Sequence, residues 1–501
     1  MSHGICYLVG AGPGDPGLLT LRGRACLEQA EVVVYDYLSN AELLRFAPEN
    51  AERIYAGKKA GAHTLSQQEI NALLVEKTAS GKAVVRLKGG DPFIFGRGGE
   101  EAGALAAAGL KFEIVPGVSS AIAGPAYAGI PVTHRGSNTM LTIFTGHEDP
   151  TKSESSLDYA ALAGAPGTKV MLMGVERIET IAASLAKAGM AAETPVALVR
   201  WATTGRQETL AGTLDDIAAK VAKAGFKAPA VAVFGEVVNL RETLNWFETR
   251  PLFGKRIAVT RTRKQAGALI GKLRDLGADA YELPTIRIEP PRNKREFYEL
   301  VKDAHTYDWL IFTSPNGVDA FFEAFFALYK DARSIGGVRI AAIGPATAEK
   351  VRSFHLDVDL QPEKYVAEEI VKSFQAEVSI ENLKILLARA EGAREMLAIE
   401  LEKLGAIVDE AVAYRTVPET EDVAGGIARF REDGADVITF TSSSTVENFT
   451  ALKLPLPARL KTASIGPITS ATMRKLALDV DIEAKTHDIP GLVKAIRLAL
   501  E

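Results

Sequence analysis

The segment from Arg86 to Glu101, RLKGGDPFIFGRGGEE, limits most narrowly what this chain can fold into. It contains five glycines, interleaved with two arginines, two glutamates and one aspartate. Glycine is entropically costly inside helices and strands, so the segment predicts a strand end that opens into a backbone-exposing loop. Arg97 and Glu100 then stand at the start of a helix. A glycine-rich segment can also merely turn the chain, but this density of charge favours a site for a small polar molecule.

The overall composition is that of an ordinary globular protein. The chain has 501 residues, of which 47% are hydrophobic and 24% are charged, so we expect about two to four domains. The formal net charge of −5 gives no electrostatic basis for binding nucleic acid or an anionic membrane. We therefore expect neither of these partners.

The numbers and spacing of the cysteines and histidines indicate the cellular compartment and whether a metal site is expected. Cys6 and Cys26 are too few for a disulfide framework and fit a reducing cytosol. We see neither a signal peptide nor an apolar stretch of membrane-spanning length, so we expect a cytoplasmic protein. The seven histidines are scattered without a spacing suited to zinc, so we expect no metal site.

The first half alternates apolar runs with helical patterns, which is typical of an α/β fold. ICYLV (5–9) and VVVY (32–35) read as buried strands around a helical segment, Leu18–Ala30. Further strands are predicted at 84–87, 112–115, 140–145, 169–173, 196–200 and 230–234. At 245–256, Pro251 and Gly254 interrupt the pattern before a new strand begins, which predicts a domain boundary.

The second half contains an internal repeat, which predicts two lobes of similar architecture. Three pairs of segments carry the repeat: WLIFTSPNGVDAFF (309–322) with VITFTSSSTVENF (437–449), IAAIGPATAEKV (340–351) with TASIGPITSATM (462–473), and LDVDL (356–360) with LDVDI (478–482). Each repeat predicts a strand, a Ser/Thr-rich turn that opens a helix, and a second strand that ends in Ile-Gly-Pro.

Two proline-containing segments, PTIRIEPPRNK (284–294) and AYRTVPETED (413–422), are predicted to cross between these lobes, because proline favours extended backbone. A cleft between two lobes with a hinge is a common ligand site. The predicted domains are residues 1–248 and 254–501, the second divided into lobe one (254–287 plus 418–501) and lobe two (288–417).

A second glycine cluster, VGAGPGDPGLLT (9–20), follows the first predicted strand and suggests a nucleotide-binding turn. A dinucleotide fold is the competing interpretation, with Asp36 where a ribose-binding acid would stand. Two details argue against it: Asp15 replaces the last glycine of that fingerprint, and Pro13 and Pro16 interrupt the turn.

Five ordered motifs indicate a family: VGAGPGDPGLLTLRG (9–23), VVVYDYL (32–38), AGKKAG (56–61), RLKGGDPFIFGRGGEE (86–101) and VPGVSSA (115–121). Over residues 3–248 the chain closely resembles the tetrapyrrole methylases, and within them the uroporphyrinogen-III C-methyltransferases. The resemblance implies two α/β domains with S-adenosyl-L-methionine in the cleft between them, and commonly a homodimer.

The resemblance also implies roles for individual residues. Cofactor contacts fall on Pro13, Gly89, Gly90, Asp91, Ile94, Ser119, Ser120, Met173 and Ala202. Catalytic roles fall on Asp36 as proton acceptor and Lys58 as proton donor, with Arg97 and Glu100 on the substrate side. Arg135 matches a substrate-binding position.

Chemistry agrees with these roles without fixing all of them. Methyl transfer is an in-line displacement that depends on positioning. The nucleophile is a pyrrole carbon, and a proton must leave the substrate as the new bond settles. Asp36 and Arg97 both remain candidates for the base, although an arginine base requires a strongly lowered pKa. The substrate is a polycarboxylate, for which Arg97, Arg135, Lys58 and Lys59 are natural partners. Asp36 could also simply cap a helix, and Lys58 and Lys59 could be a solvated pair.

The second half offers exposed N–H groups at predicted helix starts, which suit a carboxylate-rich ligand. Each serine or threonine there could equally cap its own helix. Over residues 254–500 the chain is similar to uroporphyrinogen-III synthases, through VTRTR (259–263), the Ile-Gly-Pro repeats and AYRTVP (413–418). The resemblance implies that Tyr414 assists loss of a hydroxyl and that Ser442 and Thr469 lie near the substrate.

Together the two resemblances imply a bifunctional enzyme of tetrapyrrole biosynthesis. The second half would close hydroxymethylbilane to uroporphyrinogen III, and the first half would methylate it twice to precorrin-2 for sirohaem or cobalamin. Neither NAD nor iron is expected. The alternative interpretations are a methyltransferase for another tetrapyrrole, and a second half that is a non-catalytic binding or sensor module.

Overall fold

The computed structural model describes residues 4–501 apart from residues 49, 58–64, 148–156, 261–262, 363–366, 378, 394, 420–421 and 423–424. Four five-stranded sheets organise the described chain, two in each half. Strands and helices alternate along most of the described chain, which confirms the predicted α/β class. Within the described residues, no helix is both long and apolar enough to cross a bilayer.

The first sheet is built from β1 (Ile5–Gly10), β2 (Val32–Tyr35), β3 (Glu52–Tyr55), β4 (Ala83–Lys88) and β5 (Lys111–Val115). All its neighbours are parallel, in the order β3-β2-β4-β1-β5. The helices of this region are α1 (Leu21–Glu28), α2 (Gln67–Ala79), α3 (Gly98–Ala107) and α4 (Ser120–Tyr127). Apolar clusters cover both faces, as a buried parallel sheet requires.

The second sheet is mixed and contains β6 (Leu141–Thr145), β7 (Thr168–Leu172), β8 (Pro195–Arg200), β9 (Glu208–Thr213) and β10 (Ala230–Phe234). Its order is β6-β7-β10-β8-β9, and only β6 and β7 are parallel. The accompanying helices are α5 (Tyr159–Gly164), α6 (Ile178–Lys187), α7 (Ile217–Ala224) and α8 (Arg241–Leu244). Helix α4 packs on this sheet, so it links the two sheets of the first half.

The sequence predictions for the first half hold closely. All eight predicted strands are present within one residue of their expected bounds. The predicted helix Leu18–Ala30 is shorter, because Thr20 caps α1 by accepting a hydrogen bond from the Gly23 N–H at 3.0 Å. Strands β3 and β9 were not predicted; both are sheet edges with half-buried, partly polar residues.

The strands of the second half are β11 (Arg256–Val259), β12 (Asp279–Glu282), β13 (Ile286–Glu289), β14 (Trp309–Phe312), β15 (Arg339–Ala342), β16 (Lys384–Ala390), β17 (Ile407–Pro418), β18 (Val437–Phe440), β19 (Lys461–Ser464) and β20 (Ile482–Glu483). The third sheet is parallel in the order β12-β11-β18-β19-β20. The fourth has the order β13-β17-β16-β14-β15, with β13 antiparallel to β17.

The helices of the second half are α9 (Arg263–Asp275), α10 (Lys294–Lys302), α11 (Pro315–Leu328), α12 (Pro345–Arg352), α13 (Ala367–Glu377), α14 (Met396–Lys403), α15 (Gly426–Asp433), α16 (Ser443–Ala451), α17 (Pro467–Lys475) and α18 (Ile489–Leu500). The predicted repeat is present: β14-α11-β15-α12 in the fourth sheet corresponds to β18-α16-β19-α17 in the third. Ser314 and Ser442 cap equivalent helices.

The two predicted crossover segments pair with each other. Ile286 lies opposite Pro418, and Glu289 lies opposite Arg415, in the antiparallel ladder of β13 and β17. The Glu419 N–H then donates to the Thr285 carbonyl at 3.1 Å. The two passages between the third and fourth sheets therefore run side by side.

Candidate active sites

The two glycine motifs of the first half meet backbone to backbone. Gly12 N–H donates to Gly90 O at 3.2 Å, and Gly90 N–H donates to Gly12 O at 2.8 Å. They meet because β1 and β4 are parallel neighbours whose carboxyl ends lie at the same sheet edge, the usual ligand edge of such a sheet. A Cβ added to Gly90 would meet nothing nearer than 3.9 Å, so this backbone faces open space.

A third loop completes the cradle formed by these glycines. A Cβ on Gly10 would lie 2.5 Å from Gly117 Cα, so no side chain fits between the two turns. Asp91 fixes the loops by accepting hydrogen bonds from the N–H groups of Phe93 at 2.8 Å and Gly117 at 3.0 Å. Ser119 then caps α4, whose first residue is Ser120.

The remaining predicted cofactor residues surround this cradle. Pro13 is half-buried between Gly12 and Gly14, and Ile94 is 40% exposed in the loop that follows Asp91. Met173 is exposed after β7 with a φ of 54°. Ala202 approaches from the second sheet: its carbonyl oxygen would lie 3.2 Å from a Cβ on Gly14.

The loop that contains Ala202 is strained. Trp201 and Thr203 have φ values of 47° and 69°, in the left-handed region that non-glycine residues rarely adopt. Thr203 Oγ1 accepts a hydrogen bond from the Asp15 N–H at 3.0 Å. This loop of the second sheet is therefore bound directly to the first glycine turn.

Asp36 lies just beyond β2, at the same edge of the first sheet. Its carboxylate accepts hydrogen bonds from the Leu38 N–H at 3.1 Å, from Ser39 Oγ at 3.1 Å and from Arg86 Nη2 at 3.2 Å. Its side chain is 25% exposed, so it is oriented by these donors and still open to a ligand.

A buried ionic cluster lies behind Asp36. Glu101, which is fully buried, accepts hydrogen bonds on Oε1 from Lys88 Nζ at 2.8 Å and from Arg86 Nε at 3.2 Å. Burial lowers the pKa of Lys88, and the nearby Arg86 lowers it further. Sequence reasoning missed this cluster, although Arg86 and Lys88 alternate along a buried strand, which places them on one face.

Arg97 and Glu100 form an exposed ion pair at the start of α3. Arg97 Nε and Nη2 donate to the two carboxylate oxygens of Glu100, each at 2.7 Å. These bonds raise the pKa of Arg97 and lower that of Glu100, so the pair is held charged. Arg135 is exposed in the turn between α4 and β6, and Lys58 lies outside the described residues.

Tyr414 is the best-defined candidate in the second half. It is 8% exposed on β17, and its Oη lies 3.0 Å from Ser314 Oγ. Ser314 caps α11 by accepting from the Gly317 N–H at 3.1 Å. The phenol is therefore placed at a helix N-terminus, where the helix dipole favours negative charge.

Ser442 and Thr469 belong to the other lobe. Ser442 caps α16, accepting from the Thr445 N–H at 3.3 Å, and Thr469 is buried in the first turn of α17. These two helices pack against each other. Within the described residues, no hydrogen bond joins Tyr414 to either of them.

Comparison with known families agrees with this two-part architecture. The model for Tetrapyrrole (Corrin/Porphyrin) Methylases matches residues 6–218, and that for Uroporphyrinogen-III synthase HemD matches residues 267–494. The Porphyrin biosynthesis protein HemD of Ruminiclostridium josui is 37% identical over 97% of this chain and 96% of its own length. The chain therefore belongs to the family that joins a tetrapyrrole methylase to a HemD-type uroporphyrinogen-III synthase.

Further relatives match the first half. The S-adenosyl-L-methionine-dependent uroporphyrinogen III methyltransferase of Methanosarcina barkeri is 54% identical over 48% of this chain and 95% of its own length. A structure of uroporphyrin-III C-methyl transferase from Thermus thermophilus with S-adenyl homocysteine is 39% identical, with a TM-score of 0.41. It covers 47% of this chain and 100% of that chain. The two family models and the Ruminiclostridium josui relative confirm both resemblances seen in the sequence.

Proposed function

We propose that this chain converts hydroxymethylbilane to uroporphyrinogen III in its second half and methylates that product twice, to precorrin-2, in its first half. The observation that carries the proposal is the paired backbone of Gly12 and Gly90 beside Asp36, in a chain with a full-length HemD relative. We propose that the precorrin-2 formed enters the branch of tetrapyrrole biosynthesis that leads to sirohaem or cobalamin.

The cradle suits S-adenosyl-L-methionine. The backbone around Gly90 faces open space, and side chains are excluded where Gly10 meets Gly117. Ser119 and Ser120 add the N-terminus of α4. We propose that Pro13, Gly89, Gly90, Asp91, Ile94, Ser119, Ser120, Met173 and Ala202 hold this cofactor, which supplies the methyl group. Because both Asp91 oxygens already bind backbone N–H groups, its role is chiefly to fix the loops.

Asp36 is the proposed proton acceptor of methyl transfer. When the methyl carbon bonds to a pyrrole ring carbon, the carbon–sulfur bond of the donor breaks and the ring is left positively charged. The ring carbons of this substrate carry no hydrogen, so a ring N–H or a methylene bridge must lose a proton, and a carboxylate held by Arg86 can take it. Arg97 is unsuited to this task, since its ion pair with Glu100 favours the charged form. We assign Arg97, Glu100 and Arg135 to binding and orienting the polycarboxylate, and Lys58 to proton donation.

Tyr414 is the proposed acid of the second half. Its hydroxyl can donate to the departing hydroxyl of hydroxymethylbilane, while Ser314 and the start of α11 stabilise the charge that develops on the phenol. Helix starts in both lobes, including that at Ser442, supply N–H groups for the carboxylates. Thr469, buried nearby, is proposed to shape the same region.

We further propose the assembly and the domain limits. Residues 1–248 form the methyltransferase and residues 254–501 the synthase, with lobe one at 254–287 plus 418–501 and lobe two at 288–417. The protein is proposed to act as a cytoplasmic homodimer that associates through its first half.

One reaction tests both activities in the full chain. With hydroxymethylbilane alone, we expect uroporphyrinogen III; with S-adenosyl-L-methionine added, mass spectrometry should detect two additional methyl groups on the cyclised product. Formation of uroporphyrinogen I alone, as in the uncatalysed reaction, would instead support a non-catalytic second half. Absence of methylation of uroporphyrinogen III would point to a different tetrapyrrole substrate.

A further inference from the structure

The second half contacts the first half next to the candidate cofactor cradle. A Cβ on Gly205 would overlap the backbone of Ala278 and Asp279, so the loop after β8 lies directly against the start of β12. The same loop contains Thr203, whose Oγ1 binds the Asp15 N–H at 3.0 Å. One arm therefore runs from β12 through this loop to the first glycine turn.

Charged and aromatic side chains reinforce this arm. The Arg206 guanidinium lies over the Trp201 ring, with Cζ 4.3 Å from its centroid, and Arg206 Nη1 is 4.0 Å from Asp433 Oδ2 of α15. Asp433 also faces Arg429, which pairs with Asp279. Burial lowers the pKa of Arg206, and the nearby Arg429 lowers it further. The strained Trp201–Thr203 backbone is thus held from the side of the second half.

A second arm reaches the same glycine turn through Glu42 and Asn40. Arg274 of α9 makes a bidentate ion pair with Glu42, in which Nη1 donates to Oε2 at 2.7 Å and Nη2 donates to Oε1. Arg274 Nη2 also donates to the Ala280 carbonyl at 2.7 Å. The Glu42 N–H donates to Asn40 Oδ1 at 3.0 Å, and Asn40 Nδ2 donates to Gly14 O at 2.8 Å. Gly14 and Asp15 are therefore held between two chains of contacts that both begin in the second half.

The connecting segment adds a third tie. Tyr127 Oη donates to Asp15 Oδ2 at 3.0 Å, and the Tyr127 ring packs against Phe247 with a centroid distance of 4.9 Å. Phe247 in turn packs against Phe253, at 5.6 Å. The segment between the halves is thus anchored at the same turn.

We propose that the lobe containing β11, β12, α9 and α15 braces the glycine turn at Gly14–Asp15, so that S-adenosyl-L-methionine binds with full affinity only when this junction is intact. The inference rests on the proposed function of the first half. Arg274 and the backbone at Asp279 are positioning elements, since they act through Glu42 and through the Gly205 loop. If the intact junction raises the affinity for the cofactor by some factor, bound cofactor must favour the intact junction by the same factor.

The test measures the dissociation constant of S-adenosylhomocysteine by calorimetry on the full chain. Arg274→Met removes the ion pair with Glu42, which breaks the second arm. Gly205→Ala adds a methyl group where the loop meets Ala278 and Asp279, which disrupts the first arm. We expect each to weaken binding about fivefold or more. Arg274→Lys, which keeps a positive charge, should recover part of the loss. The double variant Glu42→Gln/Arg274→Met should bind S-adenosylhomocysteine no more weakly than the more affected single variant, because both changes break the same ion pair.

Two matched controls separate the brace from general damage. Arg497→Met breaks an Arg–Glu pair of α18 in the same lobe, 3.6 Å long, and Gly271→Ala adds a Cβ that meets nothing within 4 Å. Both should bind within about twofold of the unchanged protein. Uroporphyrinogen III formation, measured in parallel, reports that the second half of each variant remains folded.

The outcomes are distinct. Failure of the unchanged protein to bind S-adenosylhomocysteine overturns both the proposed function of the first half and the brace. If the unchanged protein binds S-adenosylhomocysteine and the dissociation constants of Arg274→Met and Gly205→Ala stay within about twofold of its own, the brace alone is overturned. Selective weakening in these two variants, with uroporphyrinogen III still formed, supports it.

Discussion

Arg86 donates a hydrogen bond from Nη2 to Oδ2 of Asp36 at 3.2 Å. The Arg86 side chain is almost fully buried, whereas that of Asp36 is partly exposed, so the bond joins interior charge to the surface of the candidate site. Because Arg86 Nε also binds Glu101, the guanidinium cannot swing away without leaving buried charge unpaired. Asp36 is therefore held in one orientation.

Replacing Asp36 with asparagine tests its role as proton acceptor. Asp36→Asn should lower kcat for methyl transfer about a hundredfold or more, because an amide cannot take up the proton. The affinity for S-adenosylhomocysteine should stay within about twofold, since the cradle is built from other loops. Asp215→Asn, in an exposed turn, serves as the control. An unchanged kcat in Asp36→Asn would exclude it as the base.

Glu101 and Glu100 are adjacent in sequence but differ in burial, which makes them a matched pair for stability. Glu101→Gln should lower the free energy of unfolding by about 3–5 kcal/mol, because Arg86 and Lys88 lose their buried counter-charge. Glu100→Gln breaks an exposed pair and should cost about 0–1 kcal/mol. Denaturant unfolding of both variants checks this, and equal losses would contradict it.

Gly90 and Gly109 share a left-handed backbone, with φ of 67° and 68°. Alanine at either position should destabilise the fold by a similar amount, about 1–2 kcal/mol. Only Gly90→Ala places a methyl group in the proposed cofactor space, so only it should weaken S-adenosylhomocysteine binding, by about tenfold or more. Calorimetry on both variants measures the difference, and equal affinities would remove Gly90 from the site.

Two buried tyrosines of the second half separate catalysis from packing. Tyr414→Phe should slow uroporphyrinogen III formation about a hundredfold, because the proposed acid is lost. Tyr307→Phe removes a hydroxyl that donates to Asp409 at 2.7 Å, and it should reduce stability without changing the product ratio. Chromatography of the uroporphyrinogen isomers provides the measurement. A Tyr414→Phe variant of full activity would rule out this acid.

Local patterns in the sequence predicted much of the fold. Buried strands such as β2 appear as short apolar runs, and glycine clusters mark the loops that follow β1 and β4. Strand β3 escaped prediction because its residues, ERIY, are half-buried or exposed at a sheet edge and show no apolar run. The internal repeat was predictable because both copies keep the same turn before the helix.

Long-range contacts could not be predicted in the same way. The brace depends on Arg274 meeting Glu42 and on Gly205 meeting Asp279, and no local pattern relates such distant residues. The buried cluster carried a weak signal, since Arg86 and Lys88 alternate within an apolar strand, but its partner Glu101 lies on a helix. Candidate site residues could be proposed from family motifs, and they stay predictions; the contacts that orient them could not be proposed in this way.

The ladder between β13 and β17 restricts how the second half can open. Both strands of this ladder belong to the fourth sheet, and the hydrogen bond from Glu419 to Thr285 extends their pairing toward the third. Twisting one sheet against the other, or sliding it sideways, would strain that bond. Bending across the ladder leaves that bond intact. On the proposed function, we therefore expect a bulky, flexible bilane to enter and leave by a clamshell movement about one axis, which would return Tyr414 to the same position in each turnover.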